Sequence, residues 1–102
     1  MTRTRWAAGM AVVLISLPLL AEAGPISRAC MDSGRKGASS SLCACLDRVA
    51  KGELSRRDQR KAAKFFKDPQ RAQDTRQSDR PSDEAFWKRY RSYSTRAADI
   101  CS

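Results

Sequence analysis

Apolar residues recur along this chain at intervals of three and four, in short blocks separated by glycine, proline and serine. This spacing is typical of amphipathic helices, and no segment keeps up the alternation with a period of two that a half-buried strand shows. The pattern therefore predicts an all-α fold, a small bundle of three to four short helices without strands.

The first two helices are predicted in residues 25–52. A short helix that begins at Pro25 should end before Gly34. A second helix, over about 41–51, finds an N-cap among the serines at 39–41 and has Gly52 at its C-terminus. Its apolar spacing predicts a buried stripe made of Leu42, Cys45, Leu46 and Val49.

The second half of the chain predicts two more helices with a polar stretch between them. The third helix, over about 55–67, opens with Ser55 and Asp58, a variant of the capping box, and Asp-Pro at 68–69 ends it. Residues 67–84 hold no large apolar residue, four basic groups and five acidic groups. We predict a polar linker or a frayed helix there, followed by a last helix with Ser82 as its cap.

The third and the last helix each separate into a basic face and an apolar face when residues are placed about 100° apart around the axis. The aromatic pairs at 65–66 and 86–87 lie on these apolar faces. We therefore expect them to pack in the core rather than to form an exposed binding platform. The buried stripe of the last helix is predicted to contain Phe86, Trp87, Tyr90, Tyr93, Ala97, Ile100 and Cys101.

Residues 1–23 have the pattern of a secretory signal peptide. Two arginines precede the apolar run Trp6 to Leu20, and Ala-Glu-Ala at 21–23 supplies a small-x-small cleavage site. The run is shorter than the roughly 20 residues that a membrane-spanning helix needs. We expect cleavage after Ala23, a periplasmic or secreted protein, and one helical domain over 24–102 without a transmembrane span.

The mature part is poor in apolar residues, since Leu, Ile, Val and Phe number only 9 among its 79 residues. So small a core needs a further constraint, and an even number of cysteines in a short secreted chain indicates two disulfides. A bond between Cys43 and Cys45 is disfavoured, because side chains two residues apart point to opposite sides of a helix. The place of Cys45 in the buried stripe favours Cys30–Cys43 with Cys45–Cys101, while the exchanged pairing stays open.

The mature part carries 18 basic and 10 acidic residues, a net charge of +8, and the excess lies on the two amphipathic helices. Such charge solvates an outer surface, but guanidinium groups also suit phosphate and carboxylate ligands. The candidate anion- or partner-binding residues are Arg56, Arg57, Arg60, Lys61, Lys64, Lys88, Arg89 and Arg91.

The expected partner is an anionic component of the cell envelope or an acidic protein, and secretion argues against nucleic acid despite the basic charge. A peripheral membrane contact becomes plausible if Trp87 is exposed beside the basic face.

The residue inventory excludes several classes of enzyme. There is no histidine, which excludes histidine-based triads and histidine-bearing zinc sites. Helix capping accounts for the serines and for the acidic pair at 83–84, so we expect no catalytic residue, no enzymatic activity and no cofactor. Since Cys-x-Cys can bind Cu(I) and four thiolates can hold zinc, a thiol or metal protein is an alternative that requires reduced cysteines.

Four short segments of the mature part have a specific sequence. They are Arg-Ala-Cys at 28–30, Leu-Cys-Ala-Cys-Leu at 42–46, Asp-Gln-Arg-Lys-Ala-Ala-Lys-Phe-Phe at 58–66 and Ser-Asp-Glu-Ala-Phe-Trp-Lys-Arg-Tyr at 82–90. Together they resemble a family of small exported alphaproteobacterial proteins that are commonly labelled "arginine transporter". The resemblance covers most of the mature part and implies no catalytic residues. It implies an accessory role in arginine or basic amino-acid transport, in which the chain docks to a transporter or a binding protein.

Overall fold

This computed structural model describes residues 11–12 and 23–102. Within these residues the chain forms five helices and no strand. Most of the predicted signal peptide, at 1–10 and 13–22, lies outside the described residues. The helices are α1 (Pro25–Asp32), α2 (Ser40–Glu53), α3 (Arg56–Lys67), α4 (Pro69–Gln77) and α5 (Pro81–Cys101). The predicted all-α class is confirmed, with one helix more than the pattern indicated.

Predicted local signals explain where α2 and α3 begin and where α1 ends. The hydroxyl of Ser39 accepts a hydrogen bond from the Leu42 amide at 3.1 Å, and the hydroxyl of Ser55 accepts one from the Asp58 amide at 3.1 Å. Gly34 has a positive φ of 67°, a conformation that side chains with a Cβ rarely adopt, so α1 cannot continue past it. These three boundaries follow from local chemistry.

The polar stretch, for which a linker and a frayed helix were the two alternatives, contains a helix over half of its length. Residues 69–77 form a regular helix, α4, which has no buried residue. Pro69 occupies its first turn, and hydrogen bonds from the Gln70 side chain to Asp74 and from the Thr75 hydroxyl to the Arg71 carbonyl support it. Because these interactions are local, an apolar stripe was not needed to form the helix.

Two predicted helix boundaries also move. The helix α5 begins at Pro81 with Arg80 as its N-cap, so Ser82 is not the cap. The fixed φ of proline favours the first helical position, which explains the earlier start. Gly52 does not adopt a positive φ, and α2 therefore runs through it to Glu53.

The central element of the packing is α2, which contacts α1 on one side and α5 on the other. The predicted stripe is only one of its buried faces: Val49 is buried, while Leu42, Cys45 and Leu46 are partly buried. A second face is more deeply buried and consists of Cys43, Asp47, Ala50 and Leu54. Having neighbours on both sides explains why α2 buries more than one stripe.

The core is built around aromatic rings of α3 and α5. Phe65 contacts Phe86 edge to face, with ring centroids 6.0 Å apart, and Tyr90 in the same way at 5.1 Å. The assignment of both aromatic pairs to the core is confirmed, since Phe65 and Phe86 are buried and Phe66 and Trp87 pack against them. Ile100 is an exception to the predicted stripe: it is 56% exposed, because Cys101 rather than Ile100 faces α2 in the last turn.

Two disulfides join α2 to the helices on either side of it. Cys43 is bonded to Cys30 of α1, and Cys45 is bonded to Cys101 of α5. This is the pairing that the buried stripe favoured.

Removal of the second disulfide should strongly destabilise the fold. Cys45–Cys101 spans 56 residues, and by loop entropy the double change Cys45→Ala, Cys101→Ala should lower the free energy of unfolding by about 4 kcal/mol. Urea unfolding of the purified double variant and the parent measures the difference. A loss below about 1 kcal/mol would mean that packing alone holds α5 against α2.

Stability should also fall at high pH through Tyr93. Burial raises the pKa of this phenol well above its ordinary value of 10.0, and Tyr90 and Asp47 add to the shift. Because the unfolded chain ionises first, the stabilisation is complete below about pH 10 and is lost as the pH rises further. Between pH 9 and 11 the free energy of unfolding should decrease less for Tyr93→Phe than for the parent protein. Equal pH slopes would contradict this assignment.

Candidate anion-binding cleft

A cleft of about 790 Å³ lies between α3 and α4, and its lining is dominated by basic side chains. Four of the eight predicted candidates line it, and α4 adds a fifth cation. These five are Arg57, Arg60, Lys61, Lys64 and Arg71. Asp68 and Asp74 are the acidic residues of the lining, so positive charge exceeds negative charge.

The register of α3 creates this basic wall. Ala62 and Phe65 are buried in the core, and this orientation turns Arg57, Arg60 and Lys64 outwards. The helix ends at Lys67 and α4 starts two residues later at Pro69, so the two helices pack side by side. A short connection thus brings Arg71 of α4 opposite the cations of α3.

Lys61 differs from the other cations of the cleft because its ammonium group contacts side chains of α5. Its ammonium lies 2.8 Å from Oδ1 of Asp83 and 4.6 Å from the centre of the Phe86 ring. The hydrogen bond from Lys61 is the main reason why the pKa of Asp83 falls below its ordinary value. Lys61 therefore joins α3 to the first turn of α5.

Acidic residues of the cleft have partners of their own within α4 or at its start. Oδ2 of Asp68 lies 3.5 Å from Nε of Arg71, and Oδ1 of Asp74 accepts a hydrogen bond from Gln70 at 3.0 Å. In the described part of the chain, no ion pair engages the three remaining cations, which are Arg57, Arg60 and Lys64. These three side chains are exposed and available to an external anion.

The remaining predicted candidates lie outside the cleft. Arg89 forms a two-point ion pair with Asp58, with Nε 2.6 Å from Oδ2 and Nη2 3.2 Å from Oδ1. This contact raises the pKa of the Arg89 guanidinium. Lys88 and Arg91 line a smaller cleft of mixed charge, of about 470 Å³, that also contains Glu53. Arg56 is exposed at the start of α3.

Sequence reasoning missed two buried carboxylates, Asp47 and Asp58. Asp58 is 8% exposed and pairs with Arg89, whereas Asp47 is 3% exposed and binds backbone amides at the start of α1. Asp47 lies four residues after Cys43 and three before Ala50, on the second buried face of α2. This spacing places Asp47 on the same helix face as small and apolar residues, and it was the sequence signal that could have predicted a buried carboxylate.

A second concavity, of about 510 Å³, is lined mainly by apolar side chains of α2 and α5, among them Leu42, Leu46 and Ala98. No charged side chain lines it, so it is unsuited to an anion. Trp87 is partly buried, and its ring lies 5.2 Å from that of Tyr90. A membrane contact of this tryptophan stays a prediction.

All four cysteines are in disulfides. In this oxidised form none of them presents a thiolate to a metal ion or a substrate. Among the described residues, no group of three or more His, Cys, Asp and Glu is placed to hold a metal. Disulfides persist in oxidising compartments, so the two bonds fit a location outside the cytoplasm.

The chain matches no protein-family model, no curated protein and no solved structure. The resemblance to the exported family, and the accessory role in arginine transport that it implies, stay predictions. None of the helices at 25–101 combines the length and the apolar character that a membrane span requires.

Two arginines of α5 should have different effects on stability. Arg89→Ala removes the partner of the largely buried Asp58 carboxylate and should lower the free energy of unfolding by about 1–2 kcal/mol. Arg91→Ala, an exposed change two residues away, should alter it by less than about 0.5 kcal/mol. Urea titration of both variants measures the two values, and equal effects would rule out a structural role for Arg89.

Proposed function

We propose that this protein binds an anionic, phosphate-bearing component of the bacterial envelope through the cleft between α3 and α4, without catalysing a reaction. The observation that carries the proposal is the grouping of Arg57, Arg60 and Lys64 in one cleft without internal ion pairs. Acidic residues elsewhere neutralise Lys61 and Arg89. Three positive charges without an ion-pair partner therefore lie together where a ligand has room to enter.

The chemistry of these side chains favours phosphate. A guanidinium group presents a planar set of N–H donors that matches two oxygens of a phosphate, and lysine adds a compact charge. Like charges fixed along one helix face repel one another, and a bound anion relieves this repulsion. The Thr75 hydroxyl lines the opposite side of the cleft but already donates to the Arg71 carbonyl, so the cations remain the principal ligand-binding groups.

Export is part of this proposal. A signal peptide over residues 1–23 would deliver the chain to an oxidising compartment, in keeping with the two disulfides. There the cleft would meet anionic phospholipid head groups, the phosphates of lipid A or acidic proteins. We favour phosphate-bearing lipids because the cations line a concave cleft rather than a flat surface.

Vesicle binding tests the proposal with matched variants. The exported protein should sediment with vesicles that contain phosphatidylglycerol, should not sediment with pure phosphatidylcholine vesicles, and should be released as salt rises. The triple change Arg57→Gln, Arg60→Gln, Lys64→Gln should weaken binding by at least about tenfold, since each basic residue near an anionic surface contributes about 1 kcal/mol.

The control removes the same charge elsewhere. In Arg48→Gln, Lys88→Gln, Arg91→Gln three exposed cations of α2 and α5 are lost and the cleft is intact. This variant should retain most of the affinity. An equal loss in both variants would show that net charge alone drives binding. Absence of vesicle binding would contradict a lipid ligand and leave the acidic protein as the anionic partner to test.

A further inference from the structure

The start of α1 is held by a buried carboxylate from α2. Asp47 is 3% exposed; its Oδ2 accepts a hydrogen bond from the backbone nitrogen of Gly24 at 3.1 Å, and its Oδ1 accepts one from the Ser27 nitrogen at 3.1 Å. Gly24 is the N-cap residue of α1. The first N–H groups of a helix lack partners within it, so one carboxylate serves two groups that would otherwise need separate caps.

Gly24 makes this approach possible. A Cβ built on residue 24 would lie 2.6 Å from Oδ1 and 3.1 Å from Oδ2 of Asp47, so this buried carboxylate would have to shift to admit a side chain. Any side chain at this position would separate the backbone nitrogen from the carboxylate. The absence of a Cβ on Gly24 thus lets its backbone nitrogen lie directly against a negative charge.

The same nitrogen lies at the predicted cleavage site. Ala-Glu-Ala at 21–23 places the scissile bond between Ala23 and Gly24. Hydrolysis by an export endopeptidase consumes one water: its oxygen ends on the new carboxylate of Ala23, and the Gly24 nitrogen keeps the bonding electron pair and gains protons. At neutral pH the product on Gly24 is an ammonium group, which carries the charge that an amide lacks.

We propose that Gly24 is the N-terminus of the mature protein and that its α-ammonium is bound by Asp47 as a buried ion pair that fixes α1. Two independent features converge on one atom, the sequence pattern of cleavage and the geometry of Asp47. Cleavage thereby completes a structural contact as well as removing the leader. This proposal does not depend on what the α3–α4 cleft binds.

Other charged groups surround the same position. Nζ of Lys51 lies 3.2 Å from Oδ2 of Asp47, and Arg28 of α1 donates to the carbonyl of Ala23 at 2.9 Å. Tyr93 of α5 also faces Asp47, and burial raises the pKa of this phenol. Both cations oppose a positive amine, so the experiment must isolate the effect of Asp47.

The test uses the full chain expressed with its leader and recovered from the envelope. Intact mass should show a chain that begins at Gly24. Acetic anhydride at pH 6.5 should acetylate the Gly24 amine about tenfold more slowly than in Asp47→Asn, because well below the ordinary amine pKa of roughly 8 a rise of one pKa unit lowers the unprotonated fraction about tenfold. Lys51 and Arg28 are present in both proteins, so their effects on the acetylation rate cancel in the comparison. Asp99→Asn, an exposed acidic residue of α5, is the control and should react like the parent.

Two results would overturn the proposal: a mature N-terminus at another residue, or equal acetylation rates in the parent and Asp47→Asn. If Asp47→Asn does not fold, the pH profile of acetylation in the parent protein decides. An ion pair raises the apparent pKa of the amine above that of the urea-unfolded chain, whereas burial without a partner lowers it. A lowered or unchanged value therefore also rejects the ion pair.

Discussion

The fold depends on the way α2 is bonded to its two neighbours. Residues two apart on a helix point about 200° away from each other, so Cys43 and Cys45 leave opposite sides of α2. One sulfur meets Cys30 of α1 and the other meets Cys101 of α5. A Cys-x-Cys sequence on a helix thus acts as a two-sided attachment point. With so few large apolar residues in the chain, these bonds decide which helices the small core brings together.

Much of the architecture was predictable because local signals were strong. Serine caps at 39 and 55, the glycine turn after α1 and the amphipathic pattern of α3 each depend on residues close in sequence, and the structure has them as expected. The regular helix α4 was not predictable from apolar spacing, since its supporting hydrogen bonds are local and polar. The early start of α5 reflects the preference of Pro81 for the first helical turn.

The candidate cleft was only half predictable, for a different reason. Helical register correctly turns Arg57, Arg60 and Lys64 away from the core. It cannot indicate which cations will find an acidic partner from a distant segment. Asp58 and Arg89 are 31 residues apart, and Lys61 and Asp83 are 22 apart. Such pairs form only once the helices pack. Cations that gain an acidic partner in this way stabilise the fold, and cations without one can bind a ligand.

The attachment of both outer helices to α2 through sulfur has a consequence for where the chain can fold. In a reducing compartment neither bond forms, and α1 and α5 lose their covalent links to α2 together. The burial of nine core residues then has to offset the full conformational entropy that the chain loses on folding. The two disulfides therefore couple the stability of the whole fold to the redox state of the surrounding solution.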